Sequence, residues 1–265
     1  MPSIEEVRAL IGAKEPPPIW TPKDGLIAVP WGPEGCGKTR FALTFPGPLV
    51  IHDLEGNVEE TMSTMPGIRE NVAAYYKYSV PILADKNASK PIWEEFKKNF
   101  HGAVEKFRKA GVTGTHIVDS GTRVWELIRY AVVPLDDDGR VRSAWYYAPG
   151  NDAYAAMFYK CRDYKQNLVV PCRASNVWEK TASDSGKDKM EKTSRLEADW
   201  KDPTTAYLAS VIVELSTKLV RGKDGKVDNA RVYKVKKCTP NEALKKEEFD
   251  MLDYDTLIAA IESYE

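Results

Sequence analysis

Largely apolar runs mark this chain at residues 26–30, 49–53, 115–119 and 167–172. Runs of this length read as strands buried on both faces, the habit of a parallel sheet. A helical period fills the gaps. Trp93, Phe96, Phe100, Val104 and Phe107 recur every three or four residues and predict a long amphipathic helix, its stripe turned to the core and its end closed by Gly111. Residues 40–44, 58–65, 122–133 and 152–164 read as further helices, Pro46-Gly-Pro48 and Pro134 stopping two of them, and 72–80 reads as a strand. Late in the chain the rhythm changes to alternation. Arg231-Val-Tyr-Lys-Val-Lys236 has the pattern of a half-exposed antiparallel strand, and a strand over 207–220 can pair with it through the turn Gly222-Lys-Asp-Gly225. Asp255 is placed to cap a last helix through Ile261.

Some segments lack periodicity. Residues 181–202 are polar and charged and predict a mobile loop; 136–139 read as an acidic turn. Ser3-Ile-Glu-Glu6 is a capping box opening a short helix, and Lys14-Glu-Pro-Pro-Pro18 is a stiff linker. The expected fold class is therefore α/β, a mostly parallel sheet between helices with a late antiparallel hairpin. The expected organisation is an N-terminal helix and Pro-rich linker (1–22), a core (23–240) and a C-terminal helical tail (241–265).

Composition narrows the function. At 265 residues and 43% hydrophobic, the chain can bury a substantial core. A formal charge of −1 creates no global attraction to nucleic acid, so local patches must carry any such binding. Cys36, Cys161, Cys172 and Cys238 are scattered with no C-x-x-C pair, which predicts free thiols in a reducing compartment. His52, His101 and His116 are too dispersed for a zinc site. No apolar run approaches membrane-spanning length and the N-terminus has no signal-peptide core, which points to a cytoplasmic protein without a membrane partner.

The chemistry sits in Gly32-Pro33-Glu34-Gly35-Cys36-Gly37-Lys38-Thr39. It fits G-x-x-x-x-G-K-[ST], follows a predicted strand and opens a predicted helix at Arg40, the context a phosphate-binding loop needs. Its glycines let the backbone wrap an anion with successive N–H groups turned inward. Lys38 is expected to reach the β- and γ-phosphates and the Thr39 hydroxyl to ligate Mg²⁺. Cys36 reads either as a thiol sensitised by the adjacent helix start or as a small residue that fits. Asp119 ends an apolar strand, where a carboxylate can support the metal from the crevice at the strand ends; Ser120 can orient water or cap the next helix. Asp53 and Glu55, two residues apart just past the second strand, are expected to share a face, and Glu55 is the first candidate to position the attacking water.

Taken together, Gly32 to Thr39, Leu49-Val-Ile-His-Asp-Leu-Glu-Gly56 and His116-Ile-Val-Asp-Ser120 resemble the RecA-like ATPases, and within them the short phage-type nucleotide-binding, single-strand-annealing branch. The resemblance spans roughly residues 24–238 by order of elements, although its sharp motifs cover much less. It implies ATP and Mg²⁺ as ligands, Glu55 as the catalytic glutamate of an Asp-x-Glu, and Asp119 as the magnesium-strand carboxylate. It also implies a polar γ-phosphate sensor at the end of the next strand, for which Arg173 is the nearest candidate, with Ser175 and Asn176 as alternatives. Cations on a late strand of a neighbouring subunit complete such sites, and Lys236 and Lys237 match that element; this implies a homo-oligomer, ring or filament. The implied partners are single-stranded DNA and a single-strand-binding protein, in a host cytoplasm if the chain is viral.

Residues 216–237 hold eight Lys or Arg against two Asp: Lys218, Arg221, Lys223, Lys226, Arg231, Lys234, Lys236 and Lys237. Such a strip can follow the phosphates of single-stranded DNA or simply solvate a hairpin edge. Lys187, Lys189, Lys192 and Arg195 in the predicted loop can order on DNA, and Trp200 can stack on a base or pack inward. No clear counterpart of the larger recombinases' DNA-binding loops is present, which favours annealing or loading over strand exchange. Two other classes fit the phosphate loop: a small-molecule or nucleoside kinase, though 181–202 offers a lid only Arg195, and a nucleotide-bound scaffold or loader with little turnover.

Overall fold

The structure is a computed structural model that describes residues 25–81, 85–134, 143–182, 188–199, 204–221 and 227–263. The predicted N-terminal helix and linker, the acidic turn at 136–139, the hairpin turn at 222–225, and Lys187, Trp200, Lys223 and Lys226 lie outside these residues.

Strand β1 (Ile27–Gly32) is buried along its whole length and is the middle of the molecule. It pairs in parallel with β5 (Asn167–Val169) and the start of β6 (Cys172–Ala182) on one side and with β8 (Val211–Arg221) on the other. Beyond β5 come β4 (Thr115–Asp119), β2 (Leu49–Asp53) and β3 (Val72–Lys77), all parallel. Beyond β8 come β9 (Val227–Cys238) and β10 (Glu248–Phe249), both antiparallel. The strand order is β10-β9-β8-β1-β5-β4-β2-β3. This is the expected fold class: a mostly parallel sheet between helices, extended by a late antiparallel hairpin.

Each buried strand divides its side chains between two cores. Ile27, Val29 and Trp31 face the layer of α3 (Lys86–Ala110), α4 (Gly121–Val132) and α5 (Ala148–Asp163), where Phe96, Phe100, Trp125, Tyr154 and Phe158 pack. Leu26 and Ala28 face α1 (Lys38–Leu43), α2 (Val58–Ser63) and α7 (Tyr254–Glu262), with Phe41, Met62 and Leu257. Burial on both faces explains why these strands read as continuous apolar runs rather than alternating ones. The predicted stripe of α3 is realised: Trp93, Phe96, Phe100 and Val104 are buried, Asp85 caps the start, and Gly111 ends the helix at φ 65°.

Four local expectations are corrected. Residues 188–198 form strand β7 (Asp188–Ala198), antiparallel to β6, where a loop was expected; this ribbon is tied together by backbone pairing, so no hydrophobic period announces it. The strand expected over 207–220 begins only at Val211, because residues 204–208 make a helical turn, α6 (Thr204–Leu208), that buries Thr205 and Leu208. The run 167–172 is two strands rather than one: Pro171, without an N–H, separates β5 from β6. The cap of α7 is Asp253, whose side chain accepts from the Thr256 amide; Asp255 sits in the first turn, two positions too late to cap. The tail after β9 packs onto the sheet through Leu244, Leu252, Leu257 and Ile261. Among the described residues no helix is long and apolar enough to cross a membrane.

Candidate functional site

β1 runs straight into the phosphate loop, and the turn that follows depends on two glycines. A Cβ on Gly32 would lie 2.1 Å from the Leu215 carbonyl of β8, and Gly37 holds φ 101° at the entrance to α1. The loop borders an open cleft of about 640 Å³, the size class of nucleotide sites. Lys38 folds back over the loop, its Nζ donating to the carbonyls of Gly32 (2.9 Å) and Pro33 (2.6 Å) and lying 3.7 Å from the Cys36 sulfur. Cys36 itself is buried, which fits the packing reading of that residue.

The first residue of α1 is Lys38 and the second is Thr39, so Thr39 faces the end of β4. Its hydroxyl donates to Asp119 Oδ2 at 2.6 Å. Asp119 lies beside Asp53 in the β2–β4 register, and the Asp119–Ser120 peptide is cis. Burial pushes the Asp119 carboxyl up to about 7; Glu55 and Asp53 push the same way, and the Thr39 hydrogen bond opposes. A buried carboxylate disfavoured by its surroundings, beside a hydroxyl, is an all-oxygen donor pair suited to a hard cation. Among the described residues no cluster of three His, Cys, Asp or Glu could hold a metal by itself. Two protein oxygens facing a phosphate cleft match Mg²⁺, which takes few protein ligands and completes its shell with phosphate oxygens and water.

Asp53 and Glu55 do not share a strand face, because β2 ends at Asp53 and Glu55 lies in the turn beyond. Asp53 is fully buried and pins that turn, accepting from the amides of Glu55 (3.1 Å), Gly56 (2.6 Å) and Val58 (3.3 Å) and from the Tyr75 hydroxyl (2.7 Å). This aims Glu55 into the cleft. Ser120 caps α4 through the Arg123 amide, as one of its two expected roles required, and donates its hydroxyl to Glu55 Oε1.

Arg173 completes the group. β6 continues in line from β5 and places Arg173 abreast of Gly32 in the β1–β6 register. Its Nε donates to Glu55 Oε1 at 2.9 Å and its terminal nitrogen to Oε2, a forked pair. Lys38, Thr39, Glu55, Asp119, Ser120 and Arg173 thus line one cleft. Lys236 and Lys237 do not line it: Lys236 pairs with Glu214 at 3.0 Å, and Lys237 donates to the carbonyls of Ala206 and Tyr207 at the end of α6.

Sequence reasoning missed other lining residues. Glu60, Thr61 and Thr64 come from α2 and just beyond it, with Thr64 accepting from Arg40 at 3.4 Å. Arg231 reaches in from β9. Its signal was present: Arg231 stands two and four residues before Tyr233 and Val235, both buried on the layer that contains α1.

No protein-family model matches the sequence, and no curated protein does. Among solved structures, the chain is similar to a KaiC-like protein from the hyperthermophilic archaeon Pyrococcus horikoshii OT3, at 10% identity over 84% of this chain and 83% of that one, TM-score 0.46. It is also similar to an ATPase from the type III secretion system of pathogenic bacteria, at 13% identity, covering 72% of this chain and about half (52%) of that one, TM-score 0.42.

Proposed function

We propose that this protein is a RecA-like, Mg²⁺-dependent ATPase that acts on single-stranded DNA in recombination, annealing or replication. One observation carries the ATPase reading: residues from four separate segments meet in the cleft around the phosphate loop, and each has the chemistry hydrolysis requires. Lys38 can leave its loop carbonyls for phosphate oxygens, a stronger, charge-assisted exchange. Thr39 and Asp119 would hold Mg²⁺, which when bound neutralises charge on the phosphates. Glu55 faces the same space and can accept a hydrogen bond from an in-line water. Before it does so, its oxygens must be released by Arg173. An entering γ-phosphate offers the guanidinium an alternative anion, so the ligand that needs the glutamate also frees it. Once turned to phosphate, Arg173 stabilises the charge that develops there.

The DNA half rests on the hairpin and its resemblance. Several of its cations are already neutralised, Lys218 by Asp250, Lys234 by Glu248 and Lys236 by Glu214. These surface pairs are weak and can exchange for DNA phosphates. The forked hold on Glu55 also favours a second reading, a nucleotide-loaded loader that turns over slowly until a partner or neighbouring subunit completes the site.

The test is ATP turnover measured with and without single-stranded DNA at low salt, for the wild type and Glu55→Gln. The expected outcome is DNA-stimulated turnover that falls at least about a hundredfold in Glu55→Gln while ATP binding persists. Absence of both stimulation and DNA binding removes the DNA half. Equal turnover in wild type and variant rejects the role of Glu55, and phosphate transfer to a nucleoside establishes a kinase instead.

A further inference from the structure

Arg231 is the cation of the late hairpin that differs from its neighbours. It stands opposite Thr217 in the β8–β9 register and shares a strand face with Tyr233. Tyr233 packs on Phe41 of α1 with ring centroids 6.4 Å apart, and the Arg231 guanidinium lies close enough to bear on its phenol. That shelf lays the guanidinium directly on the phosphate loop: a Cβ added to Gly37 would lie 3.0 Å from Arg231 Nε. Lys234 and Lys236 on the same strand turn to carboxylates, whereas no carboxylate among the described residues pairs with Arg231. It shares the cleft with three more cations, Lys38, Arg40 and Arg173, the last of them held by Glu55. Lys38 and Arg231 both lie against the phosphate loop, and an anion entering there relieves the repulsion between them.

We propose that Arg231 is a nucleotide-phosphate ligand, supplied by the hairpin to the cleft of its own chain, which grips the diphosphate common to ADP and ATP. The inference rests on the nucleotide reading of the cleft and specifies which end of the ligand the hairpin holds. Strand order gives the direction. β8 and β9 lie on one side of β1; β4 and β2, whose ends carry Asp119, Ser120 and the Glu55 turn, lie on the other. Arg231 therefore approaches the loop from the flank opposite the water-positioning group, away from the bond that breaks. A ligand there contributes equally to substrate and product and leaves the chemical step alone. It also ties the hairpin to nucleotide occupancy, since the strand that contacts phosphate is continuous with the hairpin's outer end.

The experiment is equilibrium titration of the full chain with ADP and with a non-hydrolysable ATP analogue, comparing wild type, Arg231→Gln, Arg231→Lys and Lys234→Gln. Steady-state turnover and thermal midpoints are measured alongside. Arg231→Gln is expected to weaken both nucleotides by the same factor, about tenfold to a hundredfold, the range of a lost hydrogen bond to a charged group. KM should rise to match, kcat should stay within about twofold, and Arg231→Lys should recover part of the loss. Lys234→Gln, the control on the same strand, should change neither affinity. Unchanged ADP affinity in Arg231→Gln overturns the inference. So does loss of the ATP analogue alone with a collapse of kcat, which would place the guanidinium at the γ-phosphate. A wild type that binds neither nucleotide defeats the reading of the cleft itself.

Discussion

His116 makes the fold acid-sensitive in a way that can be isolated. It lies on β4, fully buried against Phe100 and Phe107 at ring distances of 5.5 Å, with neither ring nitrogen hydrogen-bonded among the described residues. Burial pushes its pKa down to about 3. The unfolded chain therefore takes up this proton first as pH falls. The stability contributed by neutral His116 is whole above about pH 6.5 and is lost progressively down to about pH 3. With these two values, the loss between pH 8 and pH 5 is about 2 kcal/mol, a large share of the roughly 5–15 kcal/mol typical of a domain. Asp119 works in the opposite sense: its folded pKa of about 7 exceeds the unfolded value, so the folded state gains relative stability as pH falls through 7. His52 and His101, also lowered by burial, add to the acid loss. These other groups titrate in both proteins when wild type is compared with His116→Leu, so the difference between the two urea-denaturation profiles isolates His116 together with its coupling to His52. The variant's offset from wild type should shrink or reverse by about 2 kcal/mol between pH 8 and pH 5. Parallel profiles would mean that His116 finds a proton partner in the folded state, and the argument would be wrong.

Two further predictions concern the cleft. Arg173→Ala should lower ATP turnover about tenfold to a hundredfold while leaving ADP affinity within about threefold, measured by steady-state kinetics and titration; faster turnover would show that Arg173 only restrains Glu55. Asp53→Ala removes a buried acceptor from three amides and the Tyr75 hydroxyl, and should cost about 2–4 kcal/mol in urea denaturation and reduce kcat as the Glu55 turn loosens. Unimpaired turnover in a destabilised Asp53→Ala protein would confine that residue to folding.

What the sequence disclosed and what it concealed follow from where each signal is written. β1, β2 and β4 are buried on both faces, so their apolar runs announce them, and each ends at a residue of the cleft or its support: Gly32, Asp53 and Asp119. α3 announces itself because one face meets a core and the other meets water. β7 has no such asymmetry; its pairing energy lies in backbone hydrogen bonds that any residue supplies, so its side chains leave no pattern. A single helical turn such as α6 is too short for a period. Charge counting found the basic hairpin but weighed its residues alike, whereas their roles depend on which face of the strand each occupies. Only the position of Arg231 relative to buried Tyr233 and Val235 separates it from Lys234 and Lys236.

On the proposed reading, strand order also sets two roles on either side of one loop. β5 lies between β1 and β4 and β6 continues from it along β1, so Arg173 emerges next to Gly32 and can bridge to Glu55 without displacing Thr39 from Asp119. A direct β1–β4 neighbourhood would leave no strand end between the phosphate loop and Asp119 for such an arginine. On the other flank β8 lies against β1 over four register pairs, and its backbone approaches Gly32 too closely for any side chain at that position. The hairpin therefore cannot shift without straining the phosphate loop. On the proposed reading, a force on its outer end would have a short, stiff route to phosphates in the cleft, while Arg173 would respond on the far side to the terminal phosphate. The proposed roles of phosphate binding and hydrolysis thus fall on opposite edges of β1, and substitutions at Arg231 and Arg173 should separate KM from kcat.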